Sequence, residues 1–375
     1  MLHLLISVTL FVMALLPLLM IVANLSQFRK ADSANSELDQ PKISVLVPAR
    51  NEANSIGQSL QTLIAQTYKN VEILVLDDHS EDRTGDIVSE FANRHSHIRL
   101  LESQSLPAGW NGKQFACWQL AQQASGEYFL FLDADVRLQS DAIDRIWTSY
   151  QANPTNLYSG FPAQHTGSFA ERMLIPLMYL LLMSYLPLRQ SRIDQRVSMA
   201  AGCGQMFFTD RDSYLAVDGH SAIRSSRHDG LMLPRAYRAR GKRTDLFDAS
   251  DLATCRMYHN VREVTVGLLK NACEGIANKR LIVVFTILLL GGFVLPLLMF
   301  LHGLFWKWDL VPLMLLGLAT VLSLLPRCLV AARWERNYLA AVLNPVAIVW
   351  FVALQWLAFI RGVRGKSVAW RGRST

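Results

Sequence analysis

The chain has 375 residues, 51% of them hydrophobic, and a net charge of +7. That apolar share points to membrane segments around one sizeable domain, and the basic residues gather beside apolar runs, a pattern suited to anionic lipid headgroups. The absence of zinc-ligand spacing, a basic arm or an aromatic RNA motif argues against a nucleic-acid partner.

Residues 2–23 are an uncharged apolar run of about 20 residues, long enough to span a bilayer. Its start lacks Lys and Arg, and no small-residue cleavage site precedes Gln27. Residues 1–24 are therefore expected to be an uncleaved transmembrane anchor. Arg29 and Lys30 place the next segment on the cytoplasmic side. The five cysteines form no C-x-x-C pair and read as reduced thiols of a cytosol-facing protein. Residues 25–41 are polar, lack apolar periodicity and read as a linker.

Residues 43–47 form a short strand of the buried parallel type, closed by Pro48-Ala49-Arg50-Asn51-Glu52. A helix to about residue 66 succeeds it, then a strand over 71–76 ending in Asp77-Asp78-His79-Ser80. A helix over 84–94 and a strand over 98–102 come next. The loop that ends in Gly112-Lys113 opens another helix, and the run Phe129-Leu130-Phe131-Leu132 leads into Asp133-Ala134-Asp135. Strands alternating with helices of this length imply βαβ units and a doubly wound α/β sheet.

A strand interior has no use for two carboxylates, because a buried unpaired one is costly. At the C-terminal end of a parallel strand, however, such a pair can hold a divalent cation through oxygen, and the cation can bind a diphosphate. Arg50 and Glu52 follow the first strand, Asp77 and Asp78 the second, and Asp133 and Asp135 the fourth, while Lys113 opens a helix. Each alone has a plainer reading as an acidic turn, a cap or a solvated helix end. Their convergence on one rim points to a site.

Together, Val47-Pro48-Ala49-Arg50-Asn51-Glu52, Leu76-Asp77-Asp78-His79-Ser80, Gly112-Lys113 and Asp133-Ala134-Asp135 resemble the inverting family 2 glycosyltransferases with a GT-A fold, over about residues 43–258. The resemblance implies a nucleotide-sugar-binding GT-A domain over 42–278. It places Pro48, Arg50, Glu52 and Asp78 around the nucleoside and Lys113 near it or its diphosphate. It assigns Mg²⁺ or Mn²⁺ to Asp133 and Asp135. A UDP-hexose donor such as UDP-glucose is expected on the same ground.

Residues 169–189 are strongly apolar but interrupted by Pro176 and Pro187. A transmembrane span here would put the metal site and the later acidic motif on opposite faces of the membrane. An interfacial helix that admits a lipid acceptor avoids this; a buried core helix is the alternative. A small-residue turn, Ala200-Ala201-Gly202-Cys203-Gly204, feeds a strand, and Ser226-Arg227-His228-Asp229-Gly230 opens a helix to about residue 240. An acidic residue at a helix start is often a cap. In the resembled family that slot carries the catalytic base as Glu-Asp or Asp-Asp. Asp229 takes the role, and His228 stands where the first carboxylate is usual.

Residues 243–248 read as a strand, and Arg256-Met257-Tyr258 closes the domain. With Lys270-Asn271 and the terminal Trp370-Arg371-Gly372-Arg373, these resemble the branch acting on carotenoid, hopanoid or related isoprenoid lipids. Arg256 is either a diphosphate contact or a structural salt bridge. Processive polysaccharide synthases carry Q-x-x-R-W; here Arg333-Trp334 is present but Val330 replaces the Gln.

Two apolar runs, 281–301 and 310–325, flank Trp306 and Trp308, which fit an interfacial aromatic belt. A third, 340–360, contains Asn344, Pro345 and Gln355. Residues 279–361 are thus expected to be a membrane region of two or three helices, and 362–375 a basic tail. Three full spans would leave Arg361, Arg364, Lys366, Arg371 and Arg373 outside, against the positive-inside rule. The last run is therefore either re-entrant around Asn344-Pro345 or an exception to that rule.

The expected activity is transfer of one sugar from a nucleotide donor to a lipid hydroxyl or acid at the cytoplasmic face of the inner membrane. A polyprenyl phosphate acceptor, a processive synthase and a membrane scaffold with an inactive transferase domain are the alternatives. Retention of the acidic pair and of Asp229 argues against the scaffold.

Overall fold

Strands in the middle of the chain are apolar at successive rather than alternate positions, which commits both faces of their sheet to burial. The computed structural model describes residues 1–35 and 37–364; Lys366, Trp370, Arg371, Gly372 and Arg373 of the expected basic tail lie outside the described residues. The first elements are α1 (Leu2–Leu25), β1 (Ile43–Ala49), α2 (Ile56–Ile64), β2 (Val71–Asp77), α3 (Thr84–Arg94) and β3 (Ile98–Glu102). Next come α4 (Gly112–Gln123), β4 (Tyr128–Leu132), β5 (Val136–Leu138), α5 (Ala142–Ala152) and β6 (Leu157–Gln164). After these lie α6 (Phe169–Leu174), α7 (Leu177–Tyr185), α8 (Leu188–Ile193), β7 (Met206–Asp210), α9 (Arg211–Ala216), α10 (Asp229–Ala239), β8 (Thr244–Cys255) and α11 (Val261–Ala272). The remainder is helical: α12 (Ile282–Phe293), α13 (Leu295–Phe305), α14 (Leu310–Val330), α15 (Tyr338–Val342) and α16 (Asn344–Val363).

The strands form one sheet in the order β3-β2-β1-β4-β7-β6-β8-β5. β3, β2, β1 and β4 are parallel neighbours, as the alternation of strands and helices implies. Val45, Val75 and Leu130 share a core with Leu60 of α2, Val88 of α3 and Ile146 of α5. Leu46, Leu74 and Phe131, at the alternate positions, pack instead with Leu120 of α4, Tyr214 of α9 and Leu233 of α10. The chain leaves β1 for β2 on one side and later lays β4 on the other. A crevice therefore opens at the C-terminal ends of β1 and β4, where open α/β sheets bind ligands.

The far half of the sheet is mixed. β7 runs antiparallel to β4 with Met206 opposite Leu132, and β5 runs antiparallel to β8. An antiparallel β7 must begin at the rim where β4 ends. Its leading turn consequently lies beside Asp133, whose backbone N–H donates to the Gln205 carbonyl at 3.0 Å. β8 extends beyond the predicted end at 248, because after a register shift at Pro162/Ala163 it pairs again with β6, and then with β5.

The apolar segment 169–189 is three short helices, interrupted at Pro176 and Pro187 because proline lacks the donor a helix interior needs. α7 has 9 residues, too few to cross a hydrocarbon core about 30 Å thick. It packs instead on α1. The buried Asn24 side chain donates to the Met183 and Leu186 carbonyls at 2.9 and 2.7 Å and accepts from the Leu188 N–H at 3.0 Å. α1 buries Ser7, Leu10, Ala14, Pro17, Ile21 and Asn24, a stripe at helical spacing, and turns Leu5, Val8, Val12, Leu16 and Leu19 outward.

α1, the run Leu310–Glu335 and α16 are each long and apolar enough to cross a membrane, and α12 with α13 makes a further pair bent by 52°. His3 stacks on Trp308 with ring centroids 3.9 Å apart, so these chain turns share the end of the bundle far from the sheet. The opposite ends meet at β8. Asp248 there is fully buried. Arg333 reaches it at 3.1 Å while also donating to the Leu25 carbonyl at 2.7 Å and the Phe28 carbonyl at 2.5 Å. Trp334 Nε1 donates to the same carboxylate at 3.1 Å. Arg333-Trp334 thus fastens the membrane helices to the sheet.

Residues 25–41 are tied down as well. Asp248 donates its N–H to the Arg29 carbonyl at 2.8 Å, and Trp147 Nε1 donates to the Asp39 carbonyl at 2.8 Å. α16 begins after α15, which packs on the sheet-proximal end of α14. It finishes beside α11, where a Cβ on Gly362 would lie 3.3 Å from Cys273 Sγ. Both ends of α16 therefore lie near elements that pack on the sheet domain.

Removing Arg333 would leave Asp248 a buried charge without its cation. Arg333→Met is expected to cost about 3 kcal/mol of stability. Adding Asp248→Asn should recover part of that loss, which thermal unfolding of wild type, both single variants and the double variant in detergent checks.

Candidate active site

At the end of β1 the chain turns through Asn51, whose φ of 54° is one that Asn tolerates better than most residues. This turn interlocks with the one after β2. The Asn51 N–H donates to Ser80 Oγ at 3.0 Å, and Arg50 Nη1 donates to the Asp78 carbonyl at 2.6 Å. Asp77 holds its own turn by accepting from the Ser80 N–H at 3.1 Å, whereas Asp78 lines the central cavity.

Asn111 caps α4, its Oδ1 accepting from the Lys113 N–H at 3.1 Å. The Lys113 ammonium lies 2.6 Å from Asp133 and 2.8 Å from Asp229, and it donates to the Gly204 carbonyl at 3.1 Å. A cation in the first turn of a helix opposes the helix dipole; here two carboxylates offset that cost. Asp229 opens α10, and the turn before β7 presses directly on it. A Cβ on Gly204 would sit 2.1 Å from Asp229 Oδ1, and one on Gly230 would sit 2.9 Å from the Gly202 carbonyl oxygen. The residues of that turn are small because its backbone runs against the helix bearing the carboxylate. Behind the site, Glu274 accepts the Arg227 N–H at 2.7 Å, the His228 N–H at 3.3 Å and the Ser226 hydroxyl, which fixes the loop leading to Asp229.

Burial pushes the Asp133 and Asp135 carboxyls up. Asp135 reaches about 7, through burial first and then repulsion from Asp133 and Glu52. Burial acts on Asp229 in the same direction, but the Lys113 ammonium outweighs it and holds this carboxyl below its ordinary value. For Lys113 burial would favour the neutral amine, and the two carboxylates instead raise it well above the usual value. His220 and His228 are both lowered by burial, His220 to about 3, so neither competes with Lys113 as a cation at neutral pH.

Asp135 Oδ1 is buried without a hydrogen-bond partner among the described residues. An unpaired carboxylate oxygen next to a second carboxylate fits a divalent cation, whose charge would relieve the repulsion that raises Asp135. No three His, Cys, Asp or Glu side chains among the described residues gather to hold a metal by themselves. Donor phosphate oxygens or water would have to complete the coordination.

One cavity of about 550 Å³ joins these groups. Pro48, Arg50, Glu52, Asp78, Lys113, Asp133, Asp135 and Asp229 line it. Of the predicted site residues, Arg256 alone is absent from the lining. Its Nε lies 3.1 Å from Glu171, the structural salt bridge that is the other reading of this residue. Beyond Asp229 the cavity becomes apolar, walled by Leu177, Met178 and Leu181 of α7, Leu268 of α11 and Phe351 of α16. Lys270 and Asn271 line it too; Arg333 and Trp334 do not. Sequence inspection misses the restraint of Asp229 by Gly204 and Glu274. The small-residue turn is the visible trace of the first, and the second leaves none because its partners are remote along the chain.

The architecture is a GT-A-like α/β fold. It is shared with a mannosyltransferase from Pyrobaculum calidifontis, solved in complex with GDP-Man and Mn²⁺, at a TM-score of 0.53 and 19% identity over 97% of this chain and 100% of that one. Residues 44–214 match the family described as glycosyl transferase family 2. Among the chain's relatives, a 4,4′-diaponeurosporenoate glycosyltransferase of Staphylococcus aureus (strain USA300) is 26% identical over 220 residues, 58% of this chain and 56% of the relative. One of the same name from Staphylococcus haemolyticus is 24% identical over 240 residues, 64% of this chain and 63% of the relative. The chain thus spans less than two thirds of the length of these relatives.

Because Asp135 sits at about 7, a cation bound there must displace a proton at lower pH. Mn²⁺ affinity, measured calorimetrically with nucleoside diphosphate present, is expected to strengthen about tenfold for each unit of rising pH below that value and to level off above it. Gly204→Ala is expected to push the Asp229 carboxylate aside and to cost about 1–3 kcal/mol of stability, measured by thermal unfolding in detergent.

Proposed function

We propose that this protein transfers one sugar from a nucleotide-sugar donor to an oxygen of an apolar lipid at the membrane surface. The observation that carries this reading is the continuity of the cavity. It is charged at the strand ends and apolar where α7, α11 and α16 meet.

In this reading the donor lies over the ends of β1 and β4, with Pro48, Arg50, Glu52 and Asp78 about the nucleoside. Asp133 and Asp135 would hold Mg²⁺ or Mn²⁺, which would stabilise the negative charge of the departing diphosphate. The lipid lies among Leu177, Met178, Leu181 and Phe351 and presents its hydroxyl to Asp229. Asp229 takes the hydroxyl proton as the new bond forms at the anomeric carbon and the bond to the diphosphate breaks on the opposite face, which inverts that carbon. Lys113 bridges Asp133 and Asp229 in the protein alone. Drawn towards the donor diphosphate, it would release Asp229 from the contact that holds its pKa down and so make it a stronger base.

The match of residues 44–214 to family 2 and the GDP-Man and Mn²⁺ of the mannosyltransferase complex support this reading; the acceptor in the relatives' name, a carotenoid carboxylate, supports the apolar acceptor but not the need for a base. An isoprenoid or carotenoid acceptor and a UDP-hexose donor are its particular form. Arg29, Lys30, Lys279 and Arg280 at the membrane borders support a cytoplasmic sheet domain. Arg227 and Lys270, which also line the cavity, favour a second reading in which the acceptor is already ionised, as a polyprenyl phosphate or a lipid carboxylate. Such an acceptor needs no base.

The test is transfer of label from radiolabelled nucleotide sugars into extractable lipid, using purified protein, Mn²⁺ or Mg²⁺ and host lipid extract. Wild type is expected to label a lipid, and Asp135→Ala and Asp229→Asn to fall by about 100-fold or more. Retention of activity by Asp229→Asn alone selects the ionised acceptor. No metal-dependent transfer from any donor by folded protein would leave the scaffold.

A further inference from the structure

We infer that Gln355 binds a second hydrogen-bonding group on the acceptor, set apart from the oxygen that receives the sugar; this rests on the lipid-acceptor reading above. α16 is apolar over most of its length, and its Phe351 and Gln355, four residues apart on one face, both line the cavity. Gln355 is only 4% exposed, and its amide makes no hydrogen bond among the described residues. The rotation of α16 is fixed by two contacts just after this residue. Trp356 Nε1 donates to Thr286 Oγ1 at 3.0 Å, and Cys273 Sγ donates to the Ala358 carbonyl at 3.6 Å. The amide therefore stays turned into the cavity.

A side-chain amide offers two donors and an accepting oxygen. In a helix of a membrane region, leaving it buried and unpaired is costly, and a leucine or methionine would close the same wall without that cost. Asn271 of α11, on the same cavity lining, has a buried Oδ1 that also lacks a partner among the described residues. A plain hydrocarbon chain threading this passage would displace water from Gln355 and return nothing to it. A site built around a polar contact discriminates strongly against ligands that lack it. The geometry points to a long apolar acceptor with the reacting oxygen at one end and a hydroxyl, keto or carboxyl group further along the chain.

The test uses the full-length protein in lipid nanodiscs and a set of radiolabelled C18 alcohols. One is the plain 1-alkanol; the others carry a keto or hydroxyl group at successive positions along the chain. Saturable binding and sugar transfer are measured in parallel for wild type, Gln355→Leu and Gln355→Met. Wild type is expected to bind at least one substituted alcohol about tenfold more tightly than the plain one. Both variants should lose that preference while keeping the wild-type unfolding temperature. Binding selectivity that depends on Gln355 supports the inference even if no sugar is transferred, an outcome that would count against the proposed reaction instead. Equal binding of all the alcohols by wild type, or a preference that survives in Gln355→Met, overturns it.

Discussion

Asp133, Asp135 and Asp229 converge at one buried rim, and a single ammonium, that of Lys113, lies against two of them. Three carboxylates withdrawn from water repel one another strongly, and one cation offsets only part of that. The remainder is concentrated at Asp135, whose unpartnered oxygen and raised carboxyl mark where positive charge is still lacking. Much of the surrounding structure serves to hold this unfavourable cluster together. β7 runs antiparallel so that its leading turn reaches Asp133. Gly204 carries no side chain so that Asp229 can approach, and Glu274 grips the loop before α10. A charge imbalance maintained by this much packing is an affinity for a cationic partner present before that partner arrives.

The legibility of this arrangement divides along a physical line. Asp133 and Asp135 stand out because a run of strand residues cannot end in paired carboxylates without a reason, and Lys113 because it opens a helix that would sooner have an acid there. The parallel order of β1 to β4 comes from alternating strands and helices, and with it the place of the crevice. The features that stay hidden in the sequence depend on contacts between remote segments. Nothing near Glu274 announces a loop anchor, and the direction of β7 cannot be read from its apolar pattern. The Glu171 that lies beside Arg256 is likewise hidden, being remote from it along the chain. Asp229 is reached through family resemblance rather than through the residues around it, since an acid at a helix start is commonplace.

The membrane-facing part shows the same division. Helix lengths and apolar faces are plain from composition. Their attachment to the sheet is not, because it runs through one buried aspartate whose carboxylate receives Arg333 and Trp334 and whose N–H donates to the Arg29 carbonyl, groups from opposite ends of the chain. Arg333-Trp334 matches part of a processive signature in sequence, yet in this fold it acts as a fastening. α16, apolar enough to be a span, also forms part of the wall beside the site.

Asn24 gives the N-terminal helix a meaning beyond anchorage. Its amide closes the end of α7, and α7 is one wall of the passage through which the lipid would approach. Another apolar helix of equal length would keep the protein in a bilayer but leave the Met183 and Leu186 carbonyls and the Leu188 N–H without their partner. The N-terminal helix and the apolar wall of the cavity are thus one piece of architecture. A form lacking the first helix would retain the charged end of the cavity and lose the shape of the other.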